Sequence, residues 1–329
     1  MRFEIVTIFP GFFASFFENG ILRRALAEGL VEVGVHDLRT FTHDRHRTVD
    51  DRPFGGGEGM VLKPQPIADA LASLDIQPKT VQTLATVENP ALHQGMTSEH
   101  ALSGVERVPN TGVEGKNLAA LYQGMTSVVP NTDLKDDGAL APAASRPTVI
   151  LLSAQGRPFT QSLAREIASM DRVILICGRY EGVDERINQL YCDMELSIGD
   201  YVLSGGELAA AVVVDATMRL LPGVLGNEAS SEFESFGVPD ADISTEVEGV
   251  PRSQHGAGGL LDYPHYTRPA EFAGLKVPEP LLNGDHQAIR RWRREQQLRK
   301  TLANRPDLLE SAQLTQEDRK LLDTIRARQ

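Results

Sequence analysis

The segment Ser197–Gly206, SIGDYVLSGG, places an acid, an aromatic ring, apolar side chains and a Gly-Gly pair between a strand-like run and a long apolar helix. Glycine permits positive φ and close backbone approach, so such a segment can fold around a flat ring and bind its edge through main-chain groups. A Gly-Gly pair alone more often marks an ordinary turn. Three further blocks accompany it: Leu152–Arg157 (LSAQGR), Cys177–Glu185 (CGRYEGVDE) and Phe41–Met60 (FTHDRHRTVDDRPFGGGEGM).

Together these four blocks closely resemble the bacterial tRNA (guanine-N1)-methyltransferases, a family of knotted SPOUT methyltransferases. The similarity covers residues 1–84, 147–236 and 259–329, and we expect no family counterpart for 85–146 or 237–258. The resemblance implies methyl transfer from S-adenosylmethionine to N1 of the guanosine immediately 3′ of the anticodon in tRNA. It also implies a deep trefoil knot in the sheet and a homodimer in which the partner completes each active site.

Hydrophobic periodicity predicts an α/β fold with a mostly parallel sheet, because strand-like and helix-like runs alternate. Strands are predicted over Phe3–Phe9, Val31–His36, Thr148–Ser153 and Val173–Cys177. Helices are predicted over Phe12–Leu30, Pro66–Leu74, Thr160–Met170, Glu207–Leu220, His286–Ala303 and Thr315–Arg328. Thr160 is a predicted N-cap, and Thr315 with Asp318 a predicted capping pair.

The chain is predicted to divide into three parts. Residues 1–225 form the knotted donor-binding domain, in which 85–146 is a low-complexity insertion where the words QGMTS and VPNT recur at unequal offsets. Residues 226–258 are an extended linker, and 259–329 form a small α-helical, tRNA-binding domain. A sequence of 329 residues with 41% hydrophobic side chains is ample for such a core.

Composition restricts the possible partners. A net charge of −12 argues against indiscriminate nucleic-acid binding. The resemblance implies tRNA as the partner, and we expect neither DNA nor a membrane. No apolar run approaches the roughly 18 residues of a membrane span, and the start RFEIVTIF is strand-like rather than a secretory signal. Cys177 and Cys192 are the only cysteines, which favours a reducing cytoplasm and packed thiols rather than nucleophiles.

Methylation at N1 of guanine requires removal of the N1 proton and stabilisation of the charge that gathers on O6. A carboxylate and a guanidinium suit those tasks. The resemblance assigns the guanidinium to Arg219 and the base to Glu234, where the family has Asp; Glu232 and Asp262 are competing acids. Glu234 can equally be an exposed linker acid. Arg219 can equally be a helix-end cation facing the last carbonyls.

The resemblance assigns S-adenosylmethionine to three loops, each after an apolar strand, where open α/β sheets bind ligands. Ala154 stands where the family usually has proline. The sequence contains neither GxGxxG after the first strand nor a P-loop, which disfavours dinucleotides and ATP. The predicted donor residues are Leu152, Ala154, Gly156, Gly178, Glu181, Gly182, Ser197, Ile198, Gly199, Asp200, Tyr201, Val202, Leu203, Gly205 and Gly206.

Two basic groups are candidates for RNA contact, although charge runs are usually solvated faces. The first group lies between Arg45 and Arg52. The glycine-rich run Gly55–Gly59 beside it is either a phosphate cradle or a tight packed loop. A metal site is not predicted, because no Cys/His ligand spacing is present. Mg²⁺ is implied for some family members without identifiable ligands here. The predicted tRNA contacts are Arg45, His46, Arg47, Arg52, Asp262, Arg290 and Arg291.

Three alternative functions remain open at this point, and the simplest is a generic α/β ligand-binding protein. A knotted methyltransferase can act on another position, such as a ribose 2′-hydroxyl. A non-catalytic RNA-binding protein can retain the donor pocket as a ligand sensor.

Overall fold

The computed structural model describes residues 1–79, 146–226, 230–237 and 257–327, without the side chains of Ser230 and Glu232. The segment 85–145 and most of 237–258 lie outside this range, so the structure does not bear on the predicted insertion or most of the linker. Among the described residues, no helix combines the length and hydropathy needed to cross a bilayer.

A five-stranded parallel sheet forms the centre of the molecule. Its strands are β1 (Arg2–Thr7), β2 (Glu32–Asp37), β5 (Thr148–Pro158), β6 (Arg172–Cys177) and β7 (Met194–Ser197). They lie in the order β2-β1-β6-β5-β7. Two short hairpins are β3 (Asp50–Asp51) with β4 (Val61–Leu62), and β8 (Glu271–Phe272) with β9 (Leu275–Lys276). The prediction of a mostly parallel α/β sheet is confirmed.

Both faces of the central sheet are buried. Along β6, Val173 and Leu175 enter one apolar core, and Ile174 and Ile176 enter a second core on the other face. Successive strand residues point to opposite faces, so an unbroken apolar run supplies both cores at once. The buried carboxylate of Glu4 is an exception, held by Arg2, His36 and Arg172 at 2.6 to 3.1 Å.

Helices cover the sheet and continue beyond it. They are α1 (Ala14–Phe17), α2 (Gly20–Ala27), α3 (Pro64–Ser73), α4 (Gln161–Ala168), α5 (Glu185–Tyr191), α6 (Glu207–Met218), α7 (Ser230–Phe233), α8 (His286–Asn304), α9 (Leu308–Ser311) and α10 (Gln316–Arg326). The Thr160 hydroxyl accepts from Leu163 N, and Thr315 and Asp318 form a capping box. Both predicted caps are confirmed.

The single helix predicted over Phe12–Leu30 is wrong. The chain instead makes a 3₁₀ turn over Pro10–Phe13, then α1, then a break at Asn19 before α2. Asn19 has extended backbone angles (φ −123°, ψ 156°), so the helical hydrogen-bond series cannot continue through it.

The C-terminal elements have their own small apolar core, formed by Leu260, Leu298 and Ile325. Arg294 on α8 donates to both carboxylate oxygens of Asp318 at the start of α10, at 2.8 and 2.9 Å. The apolar core and the Arg294–Asp318 ion pair together hold α8 against α10.

Candidate functional site

A cleft of about 320 Å³ lies at the carboxyl ends of β5, β6 and β7. This is the edge at which open α/β sheets bind ligands. All three predicted loops line it. The predicted residues in its wall are Leu152, Ala154, Gly178, Glu181, Gly182, Ser197, Ile198, Gly199, Tyr201, Val202, Leu203, Gly205 and Gly206. Gly156 and Asp200 are not among the lining residues.

The first loop is a bulge within β5. Leu152 and Arg157 both pair with Leu196 of β7, so the four residues between them are extruded from the ladder. Gly156 closes this bulge against the backbone of β7: a Cβ there would lie 2.3 Å from Leu196 N. Gly156 therefore permits the close strand approach that shapes the cleft, and its role is backbone packing rather than lining.

The second and third loops are joined by a polar network that the sequence analysis did not identify. Arg179 donates through Nε to Glu207 at 3.0 Å and through Nη1 to the Ser204 carbonyl at 2.9 Å. Thr7 donates to the other Glu207 oxygen at 2.7 Å. The guanidinium also lies 4.5 Å from the ring centre of Phe9, a cation–π distance.

Glu207 is buried (1% exposed) at the first position of α6, and it contacts both β1 and the Arg179 loop. The network therefore fixes the shape of both glycine-containing loops. The amide of Gly206 adds a direct bond to the Gly178 carbonyl, at 2.9 Å.

The electrostatics of the cleft favour a cationic ligand. Three carboxylates, from Glu181, Glu185 and Glu195, line it, whereas the guanidinium of Arg179 is already paired with Glu207. The rest of the wall combines main chain, apolar side chains such as Val202, which is 87% exposed, and uncharged polar residues such as Ser153 and Gln155. A flat apolar ring and a positive group can both be accommodated.

The glycine-rich hairpin loop packs directly against this cleft. The amide of Glu181 donates to the Met60 carbonyl, and the amide of Leu62 donates to the Gly182 carbonyl, both at 3.0 Å. Gly59 has φ +86°, and a Cβ there would lie 2.5 Å from Oε1 of Glu181. The tight-loop interpretation of Gly55–Gly59 thus has direct structural support at Gly59.

Arg219 and Glu234 are brought together by the structure. Arg219 follows the last residue of α6, and its two Nη atoms donate to the two carboxylate oxygens of Glu234; the Nη2–Oε2 distance is 2.7 Å. The hydrogen bond from Arg219 to Glu234, the largest influence, raises the pKa of the arginine further above its ordinary value. The pair is only partly buried, so solvent can reach it.

Arg165 is a second cation near Glu234 that the sequence analysis missed. Its guanidinium donates to the Phe236 carbonyl at 3.2 Å, and burial lowers its pKa although the charge of Glu234 opposes that shift. Among the competing acids, the carboxylate of Asp262 is bound to His265 at 2.8 Å. The side chain of Glu232 lies outside the described residues.

The paired Arg219 and Glu234 lie away from the cleft of the same chain. Gly206 and Ala209 at the start of α6 line the cleft, whereas Arg219 follows its end. The 12 residues of α6 rise about 18 Å, and neither Arg219 nor Glu234 lines the cleft. One chain therefore holds the two halves of the expected site at opposite ends of a helix.

Two of the predicted RNA-contact residues, Asp262 and Arg290, are half-buried, and the other five are exposed. Asp44 accepts from the amides of His46 and Thr48 and from the Thr48 hydroxyl, so that Arg45, His46 and Arg47 project from a tight turn. The Thr48 hydroxyl bond is the main reason that the pKa of Asp44 is lowered. Arg52 is exposed in the hairpin loop, and Arg290 and Arg291 lie on α8.

The two cysteines are buried and unpaired. Burial raises the pKa of the Cys177 thiol well above its ordinary value and that of Cys192 to about 12. Both are protonated at neutral pH and are poor nucleophiles, as predicted.

The parallel sheet and the acidic, glycine-containing cleft at its carboxyl edge define an α/β protein with a ligand-sized cleft at the edge where such sheets bind ligands. The chain belongs to the family described as tRNA (Guanine-1)-methyltransferase TrmD, whose model matches residues 1–105 and 119–311. The family match continues through most of 85–146 and all of 237–258. Our expectation that these segments lack family counterparts was therefore wrong.

Curated relatives match over nearly the whole chain. A tRNA (guanine-N(1)-)-methyltransferase of Koribacter versatilis is 45% identical over 327 residues, 99% of both chains. Proteins of the same name from Dictyoglomus turgidum (99% of this chain, 97% of theirs) and Dehalococcoides mccartyi (99% and 98%) are 41% and 39% identical. The recognition from four sequence blocks is confirmed.

Proposed function

We propose that this chain transfers a methyl group from S-adenosylmethionine to N1 of the guanosine immediately 3′ of the anticodon in tRNA. Family membership and the names of the curated relatives support the reaction. The observation that carries the chemistry is the two-pronged contact between Arg219 and Glu234, because its hydrogen-bonding pattern is complementary to one edge of guanine.

The guanine edge offers an N1–H donor beside the O6 acceptor. Glu234 presents an acceptor and Arg219 a donor at adjacent positions, so the purine can insert between them. Its N1–H then donates to Glu234, which takes the proton, and its O6 accepts a hydrogen bond from Arg219. Positioning of the reactants contributes roughly 7–11 kcal/mol to lowering the barrier. A general base contributes a factor of roughly 10²–10⁴ in rate.

The cleft at the carboxyl ends of β5, β6 and β7 fits the methyl donor. When bound, S-adenosylmethionine supplies an electrophilic methyl group on a sulfonium. Glu181, Glu185 and Glu195 are placed to attract its positive charges, and the main chain of Ser197–Gly206 is placed to hold the adenine edge. Gly156 and Asp200, which do not line the cleft, are proposed to shape these loops rather than to contact the donor.

We propose that a homodimer completes the site. The exposed stripe of α6 is apolar, with Leu208 50% and Val212 44% exposed. Antiparallel packing of two such helices about a two-fold axis places the end of one α6, with its Arg219, beside the start of the other. Each cleft then receives the Arg219–Glu234 contact of the partner subunit.

Further expectations accompany this proposal. The chain is expected to divide as 1–225, 226–258 and 259–329, and the deep trefoil knot in the sheet stays an expectation from the family. The protein acts in the cytoplasm, in keeping with its two unpaired cysteines. Mg²⁺ dependence stays an expectation from the family. The described residues hold no group of three potential metal ligands, so none is assigned.

The proposed recognition of the N1–H and O6 of guanine is tested with labelled donor and anticodon-arm RNA. Inosine at the target position keeps N1–H and O6 and should accept the methyl group, whereas adenine, lacking both, should not. Methyl transfer to adenine, or to a ribose hydroxyl identified by mapping the methyl group, would contradict this proposal and support the alternative target. Binding of donor and RNA without any methyl transfer would indicate the other alternative, a non-catalytic RNA-binding ligand sensor.

The dimer is tested by mixing two inactive variants. Glu234→Gln removes the base, and Val202→Arg places a positive charge at the mouth of the cleft. A mixed dimer contains one intact cleft facing one intact pair, so activity should return on mixing. If it does not return while exchange of subunits is verified, each chain works alone and the proposed arrangement is wrong.

A further inference from the structure

A second cleft lies in the C-terminal part of the chain, lined by none of the residues that line the donor cleft. Its volume is about 430 Å³, within the range of ligand pockets. Four rings line it, arranged as two pairs. The centroids of Tyr263 and His265 are 4.8 Å apart, and those of Tyr266 and Trp292 are 6.1 Å apart.

These rings are accessible rather than packed into a core. Tyr266 is 48% exposed, and the apolar wall includes Leu282, which is 58% exposed. The C-terminal apolar core is formed instead by Leu260, Leu298 and Ile325. An accessible aromatic wall at a concave surface offers π-faces to a flat ligand.

A cation completes the cleft. The Arg293 guanidinium lies 4.8 Å from the ring centre of Tyr263, and its buried Nε has no hydrogen-bond partner among the described residues. The next arginine, Arg294, is by contrast fully engaged with Asp318. Arg293 thus has hydrogen-bonding capacity that an incoming ligand can satisfy.

The cleft is connected to the Arg219–Glu234 contact through backbone hydrogen bonds. The amide of Asp262, which precedes Tyr263, donates to the Ser235 hydroxyl at 2.9 Å. Ser235 follows Glu234, and the Phe236 amide donates to the Leu260 carbonyl at 2.9 Å. A polymer with one residue at Glu234 therefore passes close to the aromatic cleft.

We propose that this cleft stacks an unpaired nucleobase of the RNA substrate, near the target guanosine in the strand. Aromatic rings interleaved with arginine bind single-stranded bases with little sequence preference, because every base has a π-face. A paired stem offers no such face, so the ligand is a loop nucleotide. The inference rests on the proposed function in naming RNA as the polymer and in placing the target guanosine at Glu234.

Trp292 is the only tryptophan of the chain and lines the cleft, so its fluorescence reports on stacking. Anticodon-arm RNA should quench it, and a scan of abasic substitutions through the loop should find one position at which quenching is lost. A perfectly paired duplex should quench weakly. Quenching that is unchanged at every abasic position, or equal for the duplex, would overturn the proposal.

Tyr266→Leu tests the energetic contribution. Loss of one stacked base should weaken RNA binding about 5- to 100-fold. Donor affinity should not change, because Tyr266 does not line the donor cleft. Tyr266→Phe, which keeps the ring, should bind like wild type. Phe272→Leu is the matched control, since Phe272 is 74% exposed in the same part of the chain but outside the cleft.

The outcomes separate the two claims. Equal RNA affinities for Tyr266→Leu and Phe272→Leu would eliminate the stacking site even if methyl transfer is normal. If Tyr266→Leu unfolds, as shown by the Trp292 emission maximum, the abasic scan on the wild-type chain decides. Quenching at a single loop position without any methyl transfer would keep the stacking site and remove the proposed function.

Discussion

Both carboxylate oxygens of Glu234 accept hydrogen bonds from the two Nη atoms of Arg219. While this contact is closed, both oxygens that could receive the N1 proton are bound by the guanidinium. Deprotonation of guanine therefore requires the contact to open, and the N1–H and O6 of the substrate provide the exchange partners. In the proposed mechanism, the contact keeps the two side chains aligned until the purine enters between them.

Glu234→Gln should lower methyl transfer about 10²- to 10⁴-fold, because an amide can accept a hydrogen bond but cannot take the proton. Donor affinity should remain nearly unchanged, since Glu234 does not line the donor cleft. Single-turnover transfer from labelled donor and calorimetric donor titration measure the two quantities. Wild-type turnover in this variant would exclude Glu234 as the base.

Glu234→Asp and Glu310→Gln are the matched companions of that variant. The first restores the acid expected from the family and tests whether the extra methylene of glutamate matters to the reach of the base. The second changes an exposed acid outside both clefts and should leave transfer unaltered.

The sheet was predictable because its strands are buried on both faces, so a run such as Val173–Cys177 carries no polar alternation. The break at Asn19 could not be predicted, because the apolar spacing of Phe12–Leu30 continues across it and tertiary packing decides the turn. Helix ends were predicted to within a few residues, as expected where capping rather than periodicity sets the boundary.

Glu207→Ala should destabilise the chain by about 3 kcal/mol, because it leaves the Arg179 guanidinium partly buried without its partner. Donor affinity should fall as well, since Arg179 then loses the contact that aligns it with the Ser204 carbonyl. Urea unfolding and donor titration measure the effects. Glu310→Ala, on exposed surface, should change stability by about 0.5 kcal/mol or less.

If Glu207→Ala keeps both its unfolding midpoint and its donor affinity, the Arg179 network does not support the donor loops. Thr7→Val, which removes the other hydrogen bond to Glu207, should show a smaller loss of about 1 kcal/mol.

The glycine-containing blocks predicted the position of the cleft from sequence, but the Arg179–Glu207 pairing could not be predicted. The two residues are 28 positions apart, and only the folded chain shows that they meet. The separation of Arg219 from the cleft was foreseeable: 13 residues after Gly206, on an uninterrupted helix, it must lie about 20 Å along the axis.

Gly156→Ala should destabilise the chain by about 3 kcal/mol, because the added Cβ would lie 2.3 Å from the backbone nitrogen of Leu196, which cannot move without disrupting β7. Gly11→Ala is the control, since its Cβ would meet nothing within 4 Å and its φ is ordinary. Equal melting temperatures for the two variants would contradict the close approach of β5 and β7.

Acid should unfold the C-terminal part through Asp318. Burial raises the pKa of this carboxyl, but the hydrogen bonds and charge of Arg294 outweigh burial and hold it below the ordinary value of 3.8. A lowered pKa in the folded chain means that the ionised form stabilises folding. That stabilisation is complete above about pH 4 and is lost as the pH falls through the lowered value.

Trp292 emission during acid titration measures this loss, since Trp292 and Arg294 share α8. Asp318→Asn should cost about 3 kcal/mol at neutral pH and flatten the dependence below pH 4, because no carboxylate remains to be protonated there. Asp323→Asn, at an exposed position on the same helix as Asp318, should titrate like wild type. If wild type and Asp318→Asn lose structure in parallel below pH 4, the linkage lies in another buried acid, for which Glu4 is the candidate because its pKa is also lowered.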